Sequence, residues 1–176
     1  MTKATEAGGT LNDLGSCYLD VTGFGKIDLN ILPDISDTKS VTYNDEPTIG
    51  RTTPIKTYAH SDNRTINVTF YFIVTSKSDI QKNISYIYAI QSAAYPRDGS
   101  PYKPPPVCKF SCGNLIWDGF QNVVCVVLKS YDVKYNKEYP WDESTFLPYY
   151  VEMSTTWDVV YDSAQLPGQE RILSGA

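Results

Sequence analysis

Two long stretches of alternating apolar and polar side chains constrain this chain more than any other feature. Between Thr65 and Val74 every second residue is apolar, namely Ile66, Val68, Phe70, Phe72 and Val74. A similar alternation runs from Tyr149 to Tyr161. Because successive side chains of a β-strand point to opposite faces of a sheet, each stretch predicts a strand with one buried face. The second stretch is so long that we expect another chain to complete part of its edge.

Four other segments are predicted to contain strands. One strand begins at Gly25, where apolar and polar residues alternate, and a shorter one is expected around Lys39–Tyr43. Val107–Ser111 and Leu115–Trp117 predict a short hairpin that turns at the Cys-Gly-Asn between them. The segment Val123–Tyr135 predicts a long strand that is covered on both faces in its first half and on one face in its second.

The segment between the two alternating stretches predicts one helix. Ser78 precedes Gln81 by three residues, which is the spacing of a capping box. We expect the helix to run from Asp79 to about Ala94, with an apolar stripe that packs on one face of the sheet. The stripe consists of Ile80, Ile84, Ile87 and Tyr88.

Other segments are predicted to be loops or extended connections. Tyr95–Pro106 is rich in proline, which lacks the N–H donor that a helix or a central strand requires. Asn44–Thr53 collects Asn, Asp, Pro, Gly and Thr, which are typical of loops. Tyr58–Asp62 is predicted to be a loop before the strand at Thr65, and Asn136–Pro148 a loop before the last strand.

The composition favours a single β-rich domain. A chain of 176 residues suits one domain better than two, and its many β-branched and aromatic residues fit a pleated sheet. We therefore predict a mainly β fold with one flanking helix (α+β) over residues 17–162. Residues 1–16 are predicted to be a flexible N-terminal arm, and residues 163–176 a C-terminal extension.

The charge pattern argues against two classes of partner. The net charge is −5 and the sequence contains no cluster of Lys and Arg, so specific nucleic-acid binding is not expected. No stretch is apolar over the eighteen or so residues of a membrane span, so we expect no membrane insertion. The start of the chain also lacks the pattern of a secretory signal, which predicts a cytosolic protein.

The residues offer little for catalysis or metal binding. The single histidine, His60, has no nucleophile motif beside it, and Asp142, Glu143 and Asp118 are acids of the kind found on solvated loops. The four cysteines are expected to be buried free thiols in a reducing compartment, because one histidine supplies too few further ligands for zinc. We therefore predict no catalytic residue, no cofactor and no metal ligand.

Four aromatic residues near the last strand are candidates for an exposed surface. Trp141, Phe146, Tyr149 and Tyr150 could stack on sugar rings as a carbohydrate-binding module would. Tyr, Trp and Phe are also favoured in protein interfaces. We interpret the four as a protein interface and keep carbohydrate binding, and more distantly a small carboxylate-dependent hydrolase, as alternatives.

The order of motifs along the chain resembles a known family. The motifs are G-R-T-T-P-I from Gly50, I-N-V-T-F-Y-F from Ile66, P-P-P-V-C-K-F-S-C-G-N-L-I-W from Pro104, V-L-K-S-Y-D-V-K-Y from Val127 and Y-V-E-M-S-T-T-W-D-V-V-Y from Tyr150. With the helix between them, they resemble the tube-type domain of contractile phage tails and related contractile injection systems. In that family the domain occurs in baseplate proteins that adapt the tail tube to the hub. The resemblance covers about Lys39–Leu166.

This resemblance implies both a fold and a role. The fold would be a small antiparallel β-barrel or sandwich with a flanking helix, and six copies would close into a homo-hexameric ring around a channel. The role would be that of a non-enzymatic virion component made in the host cytoplasm, in the baseplate or at the junction between tube and baseplate. Its partners would be other copies of itself and neighbouring tube, hub or sheath proteins. DNA would pass through the ring without being bound specifically.

Overall fold

The computed structural model describes residues 17–29, 31–47, 49–50, 52–96, 103–113, 115–116, 123–143 and 145–161. The arm predicted at 1–16, the extension predicted at 163–176 and the acid Asp118 lie outside the described residues. Within them the chain forms one helix, α1 (Lys77–Ser92), and eleven strands. The strands are β1 (Cys17–Val21), β2 (Gly25–Asp28), β3 (Asp34–Thr38), β4 (Val41–Glu46), β5 (Ile55–Ser61), β6 (Thr65–Ile73), β7 (Cys108–Cys112), β8 (Val124–Tyr135), β9 (Trp141–Asp142), β10 (Leu147–Pro148) and β11 (Tyr150–Val159).

Seven strands form one antiparallel sheet in the order β2-β1-β7-β8-β11-β6-β3. The remaining strands make two separate antiparallel pairs, β4 with β5 and β9 with β10. The prediction of a mainly β, antiparallel fold with one flanking helix is therefore confirmed for the described part of the chain.

The sheet is open. β2 and β3 are its outer strands, and in the described residues they do not pair with each other, as barrel closure would require. The closed β-barrel that the family resemblance offered is therefore wrong. Helix α1 lies against the apolar face of the sheet, and its residues Ile87, Ala89 and Ile90, together with the C-cap Ala93, belong to the same buried cluster as the strand residues.

The two alternating stretches form strands with the predicted buried faces. β6 buries Ile66, Val68, Phe70 and Phe72, while Asn67 on the opposite face is exposed. The buried side chains of β11 are Val151, Met153, Thr155, Trp157 and Val159. Because these residues pack on one another across the pair, burial on one face fixes both the parity and the register of β6 against β11.

Thr155 is a polar residue in this buried stripe, and two hydrogen bonds explain its presence. Its hydroxyl donates to the carbonyl of Val68 at 2.8 Å and accepts from the indole N–H of Trp157 at 2.7 Å. Both polar groups are thereby satisfied, as buried polar groups must be. The indole of Trp157, the largest fully buried side chain in the described part of the chain, is thus held by packing and by a hydrogen bond.

The expectation that another chain would complete the edge of the last strand is wrong. β11 is a central strand that pairs with β6 from Tyr150 to Asp158 and with β8 from Val151 to Val159. Its length is matched by two long neighbours from the same chain. The parity of side chains predicts which face is buried, but it carries no information about which strands are neighbours.

β8 forms a single strand, as predicted, with an irregularity near its middle. Thr156 pairs with Ser130 and Trp157 pairs with Leu128, so Lys129 is an extra residue in the ladder. The extra residue changes which residues of β8 face the core. Before it the even-numbered residues Val124, Val126 and Leu128 are buried, and after it the odd-numbered residues Tyr131 and Val133 are partly buried. Cys125 and Val127 are half-buried, so the opposite face of the first half is only partly covered.

The hairpin predicted between Val107–Ser111 and Leu115–Trp117 is wrong. β7 instead pairs with β1 on one side and β8 on the other. In the described residues after β7, Ile116 is buried and Leu115 is exposed. The neighbour of β7 that follows along the chain is therefore β8 and not the segment at Leu115 and Ile116, because a turn residue does not identify which segment forms the next strand.

The region from 34 to 62 differs most from the prediction. The strand expected around Lys39–Tyr43 is replaced by β3 and β4, which lie on either side of Lys39 and Ser40. The predicted loops at Asn44–Thr53 and Tyr58–Asp62 overlap β4 and β5. Every residue of β4, and every residue of β5 except Thr57, is exposed, so these strands have no buried face and no periodic signal.

Helix α1 begins two residues earlier than predicted. The N-cap is Ser76, whose hydroxyl accepts a hydrogen bond from the backbone N–H of Ser78 at 3.2 Å. The carboxylate of Asp79 reaches back and accepts from the N–H of Ser76 at 2.8 Å. Asp79 rather than Gln81 completes the capping box, since a negatively charged acceptor is stabilised in the first turn of a helix.

The buried face of α1 is also rotated from the predicted stripe. Ile80 and Ile87 are buried as expected and Ile84 is half-buried, but Tyr88 is exposed. Ala89, Ile90 and Ala93 are buried in its place. The small alanines take up little room in the contact between helix and sheet, whereas the larger Tyr88 is exposed at its border.

The capping carboxylate predicts a pH dependence. A hydrogen bond from the Thr75 hydroxyl, followed by backbone donors, holds the pKa of Asp79 below its ordinary value. The ionised group therefore stabilises the fold above the unfolded-state pKa of about 3.9, and this contribution is lost as the pH falls through the folded-state pKa. In urea unfolding, Asp79→Ala should be less stable than the wild type at neutral pH, and the difference should shrink as the pH falls through the folded-state pKa of Asp79. The exposed Glu138→Ala is the control, and a stability difference for Asp79→Ala that did not change with pH would contradict the assignment.

Candidate assembly interface

The outer strands of the main sheet are short and charged. Lys26 and Asp28 of β2 form an exposed ion pair at 3.0 Å, and β3 carries Asp34 and Asp37. An outer strand leaves one row of backbone N–H and C=O groups without a partner strand, and charged side chains restrict which strand can pair with it. These edges can therefore accept a specific neighbour but disfavour indiscriminate pairing.

β4 and β5 form a hairpin that continues the β3–β6 pair beyond the end of the main sheet. The last pair of β3 with β6 is Thr38 with Thr65, and the first pair of the hairpin is Val41 with Ser61. Six residues of β4 extend the pair by about 20 Å. This projecting hairpin, residues 41–61, pairs with no other strand in the described part of the chain.

The projecting hairpin exposes many apolar side chains. The exposed residues are Val41, Tyr43, Ile49, Ile55 and Tyr58. Tyr43 and Tyr58 contact each other edge to face, with ring centroids 6.2 Å apart. A two-stranded hairpin is only marginally stable alone in water, and clustered exposed apolar residues mark interaction surfaces. The hairpin therefore has the character of a surface that is covered in an assembly.

Polar contacts fix the base of the hairpin to the sheet. The N–H of Asp62 donates to the carbonyl of Ser40 at 3.0 Å. The guanidinium of Arg64 binds both carboxylate oxygens of Asp37, with Nε at 2.9 and 3.0 Å from them, and its pKa is raised chiefly by this hydrogen bonding. Fork-like pairing of this kind fixes direction as well as distance. The base is thus anchored although the rest of the hairpin is exposed.

The structure places the single histidine on this hairpin. His60 lies in β5 rather than in the predicted loop, and its side chain is exposed. Its Nε2 is 3.3 Å from a carboxylate oxygen of Asp62.

Asp142 accepts hydrogen bonds from the N–H and hydroxyl of Thr145, so this carboxylate organises a turn.

The four aromatic residues singled out in the sequence lie on different surfaces. Trp141 is on β9 and Phe146 is at the exposed turn between β9 and β10. Tyr149 borders a depression with Val74, Lys77 and Ile80 at the start of α1. Tyr150 packs against other tyrosines on the polar face of the sheet. The four do not share one flat platform.

Phe146 has an unusual backbone for an aromatic residue. Its φ is 55°, in the left-handed region, where a bulky side chain is disfavoured. Its N–H donates to the carbonyl of Asp142 at 2.9 Å, which holds the turn. The turn therefore presents an exposed phenyl ring in a fixed position.

A cluster of three tyrosines was not predicted from the sequence. The ring of Tyr150 lies 4.4 Å from that of Tyr139 and 6.4 Å from that of Tyr71, measured between centroids. The hydroxyl of Tyr71 donates to Asp34, and this bond raises the pKa of Tyr71 to about 12. Tyr71 and Tyr150 lie on neighbouring strands, so only the pairing of β6 with β11 could have indicated the cluster.

An apolar groove lies between α1 and the ends of β8, β10 and β11. Ile80, Ile84, Ile87 and Tyr88 line it from the helix, and Phe72, Val74, Tyr135, Leu147, Pro148 and Val151 from the sheet side. Asn83 adds a polar group to this lining. Burial, and then the nearby Tyr88, raises the pKa of Tyr135. The depression beside Tyr149 shares Val74 and Ile80 with the groove and extends it to Lys77.

The cysteines are free thiols in the core or at its border. Cys17, Cys108 and Cys112 are buried and Cys125 is half-buried. Cys17 lies opposite Cys112 in the pairing of β1 with β7, and burial together with the neighbouring thiol raises the pKa of Cys17. A buried thiol with a raised pKa, such as that of Cys17, is a poor nucleophile because little of it is thiolate. Among the described residues there is no group of three or more potential metal ligands, and none of the helical structure is long and apolar enough to cross a bilayer.

Comparison with known proteins gives no family assignment. No family model matches the chain, and no curated protein matches it. One solved structure that the chain resembles is described as the tail of an empty GTA particle computed with helical refinement and C6 symmetry. The chains are 9% identical with a TM-score of 0.42, and the match covers 88% of this chain and 96% of that one. A likeness at this TM-score does not establish a common fold.

Proposed function

We propose that this chain is a non-enzymatic structural component of a phage-type contractile tail. It forms a ring in the baseplate or at the junction between the tube and the baseplate. The observation that carries the proposal is the projecting hairpin, whose exposed apolar residues Tyr43, Ile49 and Tyr58 have the character of an assembly surface. The sequence motifs shared with tube-type domains support the same role.

The open sheet supports ring formation. β2 of one copy can lie beside β3 of the next, which would give a partner to the edge groups that pair with no strand in the described part of the chain. Such a contact joins different surfaces of the two copies, and it generates a closed ring when the rotation between copies closes. We infer six copies in the ring.

Further contacts would be made with the neighbouring components of the tail. Trp141 and Phe146 are exposed and well placed to bind a tube, hub or sheath protein, whereas Tyr149 and Tyr150 are half-buried and would contribute less area. The polar face of the main sheet carries Tyr71, Glu152 and Lys134 and is not covered by α1. In a ring this face could line the channel for DNA, since it has no concentration of basic residues that would retain the DNA. The proposed location is the virion, with synthesis in the host cytoplasm.

The proposal is tested by imaging the full chain and the particles that contain it. Electron microscopy of the purified protein at high concentration, and of assembled particles, should show an annulus of six subunits. A chain that stays monomeric in isolation and is absent from isolated tails would overturn the proposal.

The tyrosine cluster favours carbohydrate binding as the second candidate. Tyr71, Tyr139 and Tyr150 form a partly exposed aromatic surface beside Asp34 and Glu152, and such surfaces stack on sugar rings. Glycan-array binding by a monomer, lost in Tyr139→Ala and retained in Tyr18→Ala, would support this function instead.

A further inference from the structure

Two of the four cysteines face each other at the end of a strand pair. Cys17 begins β1 and Cys112 ends β7, and the two residues are direct partners in the antiparallel ladder. Both side chains are buried, and a hydrogen bond links the two thiols. Directly opposite residues of an antiparallel pair place their side chains on the same face of the sheet. The fold therefore brings together two sulfur atoms that are far apart in the sequence.

The backbone hydrogen bonds identify the kind of pair that the two cysteines form. In an antiparallel sheet the N–H and C=O of one residue point to the same neighbouring strand. The carbonyl of Cys17 accepts from the N–H of Leu29 at 3.0 Å, on the side of β2, and that of Cys112 accepts from the N–H of Leu115 at 3.0 Å. Cys17 and Cys112 are therefore a non-hydrogen-bonded pair, whose Cα atoms are about 4.5 Å apart. Disulfides join Cα atoms that are about 4.4–6.8 Å apart, so this pair is within reach of one.

The other two cysteines are not placed for this bond. Cys108 is at the opposite end of β7 from Cys112, which separates their Cα atoms by about 13 Å along the strand. Cys125 lies between the buried Val124 and Val126, so its side chain is on the other face of the sheet. Oxidation of the folded chain should therefore select one pairing.

The position at the end of the ladder gives an oxidant a route to the two thiols. Cys17 with Cys112 is the terminal described pair of β1 with β7, and terminal pairs open more readily than central ones. Burial, and then the hydrogen bond with Cys112, raises the pKa of Cys17, so the closed pair reacts slowly. The thiols are thus protected in the closed fold and become reactive when the end of the ladder opens.

We propose that Cys17 and Cys112 are a redox-sensitive pair, which a peroxide converts into a disulfide between β1 and β7. One thiolate attacks the peroxide and becomes a sulfenic acid, and one oxygen of the peroxide leaves as water. The sulfur of the other cysteine then attacks the sulfenic sulfur, the S–S bond forms and a second water leaves with the remaining proton. The two thiols lose two electrons and two protons, and hydrogen peroxide is reduced to two water molecules.

The bond would link the outer strand pair, β2 with β1, covalently to the rest of the sheet. It closes a loop of about 95 residues, which lowers the entropy of the unfolded chain. Reducing compartments keep such cysteines as thiols, so the bond forms only where the peroxide outlasts the thiol reductants. It lies within one subunit and goes beyond the proposed function, so its test does not depend on ring formation.

Mild oxidation of the full chain tests the proposal. The reduced protein is treated with hydrogen peroxide at about pH 8 under native conditions, and the remaining thiols are alkylated before digestion. Mass spectrometry should find peptides joined through Cys17 and Cys112, and the intact chain should lose two hydrogen atoms. The oxidised protein should melt about 5–15 °C higher than the reduced protein, and dithiothreitol should reverse the change.

Two variants show whether the effect belongs to this pair. Cys112→Ala removes one partner and should abolish both the joined peptides and the rise in melting temperature. Cys125→Ala is the matched control, because Cys125 is on the other face of the sheet, and it should behave as the wild type. The peptide analysis of the wild type needs no variant, so its result stands even if Cys112→Ala is less stable.

Oxidation in urea is a second control. The unfolded chain should give several pairings of the four cysteines, whereas the folded chain gives one. Four thiols that all remain open to alkylation after native oxidation, or a disulfide of the folded chain that includes Cys108 or Cys125, would overturn the proposal. A bond between Cys17 and Cys112 that did not raise the melting temperature would also overturn it.

Discussion

Replacing Trp157 with alanine should lower the free energy of unfolding by about 3–5 kcal/mol. Trp157 is 1% exposed and is the largest fully buried side chain among the residues that the structure describes. The substitution leaves a cavity between β11 and its neighbours and removes the N–H that the Thr155 hydroxyl accepts. Because small domains are stable by only about 5–15 kcal/mol, this loss is a large part of the total.

Urea unfolding of the full chain measures this effect as a shift of the midpoint at constant slope. Trp141→Ala is the matched control, since Trp141 is 38% exposed and lies on β9. The control should change the stability far less. Equal losses for the two variants would show that the core is not centred on β11.

Removing the projecting hairpin should abolish the self-association that the proposed assembly requires and leave the fold intact. In the shortened variant an Asn-Gly turn replaces residues 41–61 and joins Ser40 to Asp62, which are already linked by a backbone hydrogen bond of 3.0 Å. The hairpin buries little against the main sheet, and the length of a loop contributes little to stability. The free energy of unfolding should therefore change by less than about 1 kcal/mol.

Two measurements on the shortened variant separate folding from assembly. Urea unfolding reports the stability, and sedimentation velocity reports the self-association of the shortened variant and of the full chain at the same concentrations. Lys56→Ala is the control, because it changes only an exposed ion pair with Asp45 within the hairpin and should associate normally. A shortened variant that still self-associates would show that another surface carries the assembly contact, and one that unfolds would show that the hairpin supports the sheet.

The candidate surface was only partly accessible from the sequence. Trp141 and Phe146 could be singled out because large aromatic residues among loop residues are unusual. The hairpin could not be found in this way, since β4 and β5 bury almost nothing and hence have no periodic pattern. The tyrosine cluster likewise depends on β6 and β11 being neighbours.

The sequence by itself determined the strands that bury one face. The spacing of apolar residues predicts four of these features: the stripes at Ile66–Phe72 and Val151–Val159, the long strand β8 and the helix after β6. It does so because side chains that face the core recur every second residue in a strand and every three to four residues in a helix. Only the tertiary structure decided the rest: the central position of β11, the extra residue Lys129 in β8, the open sheet and the extension of β4 and β5 beyond it. The period of the apolar residues indicates which face of an element is buried. The order of hydrogen-bonded strands and the position of exposed strands depend on backbone contacts, which produce no periodic pattern of side chains.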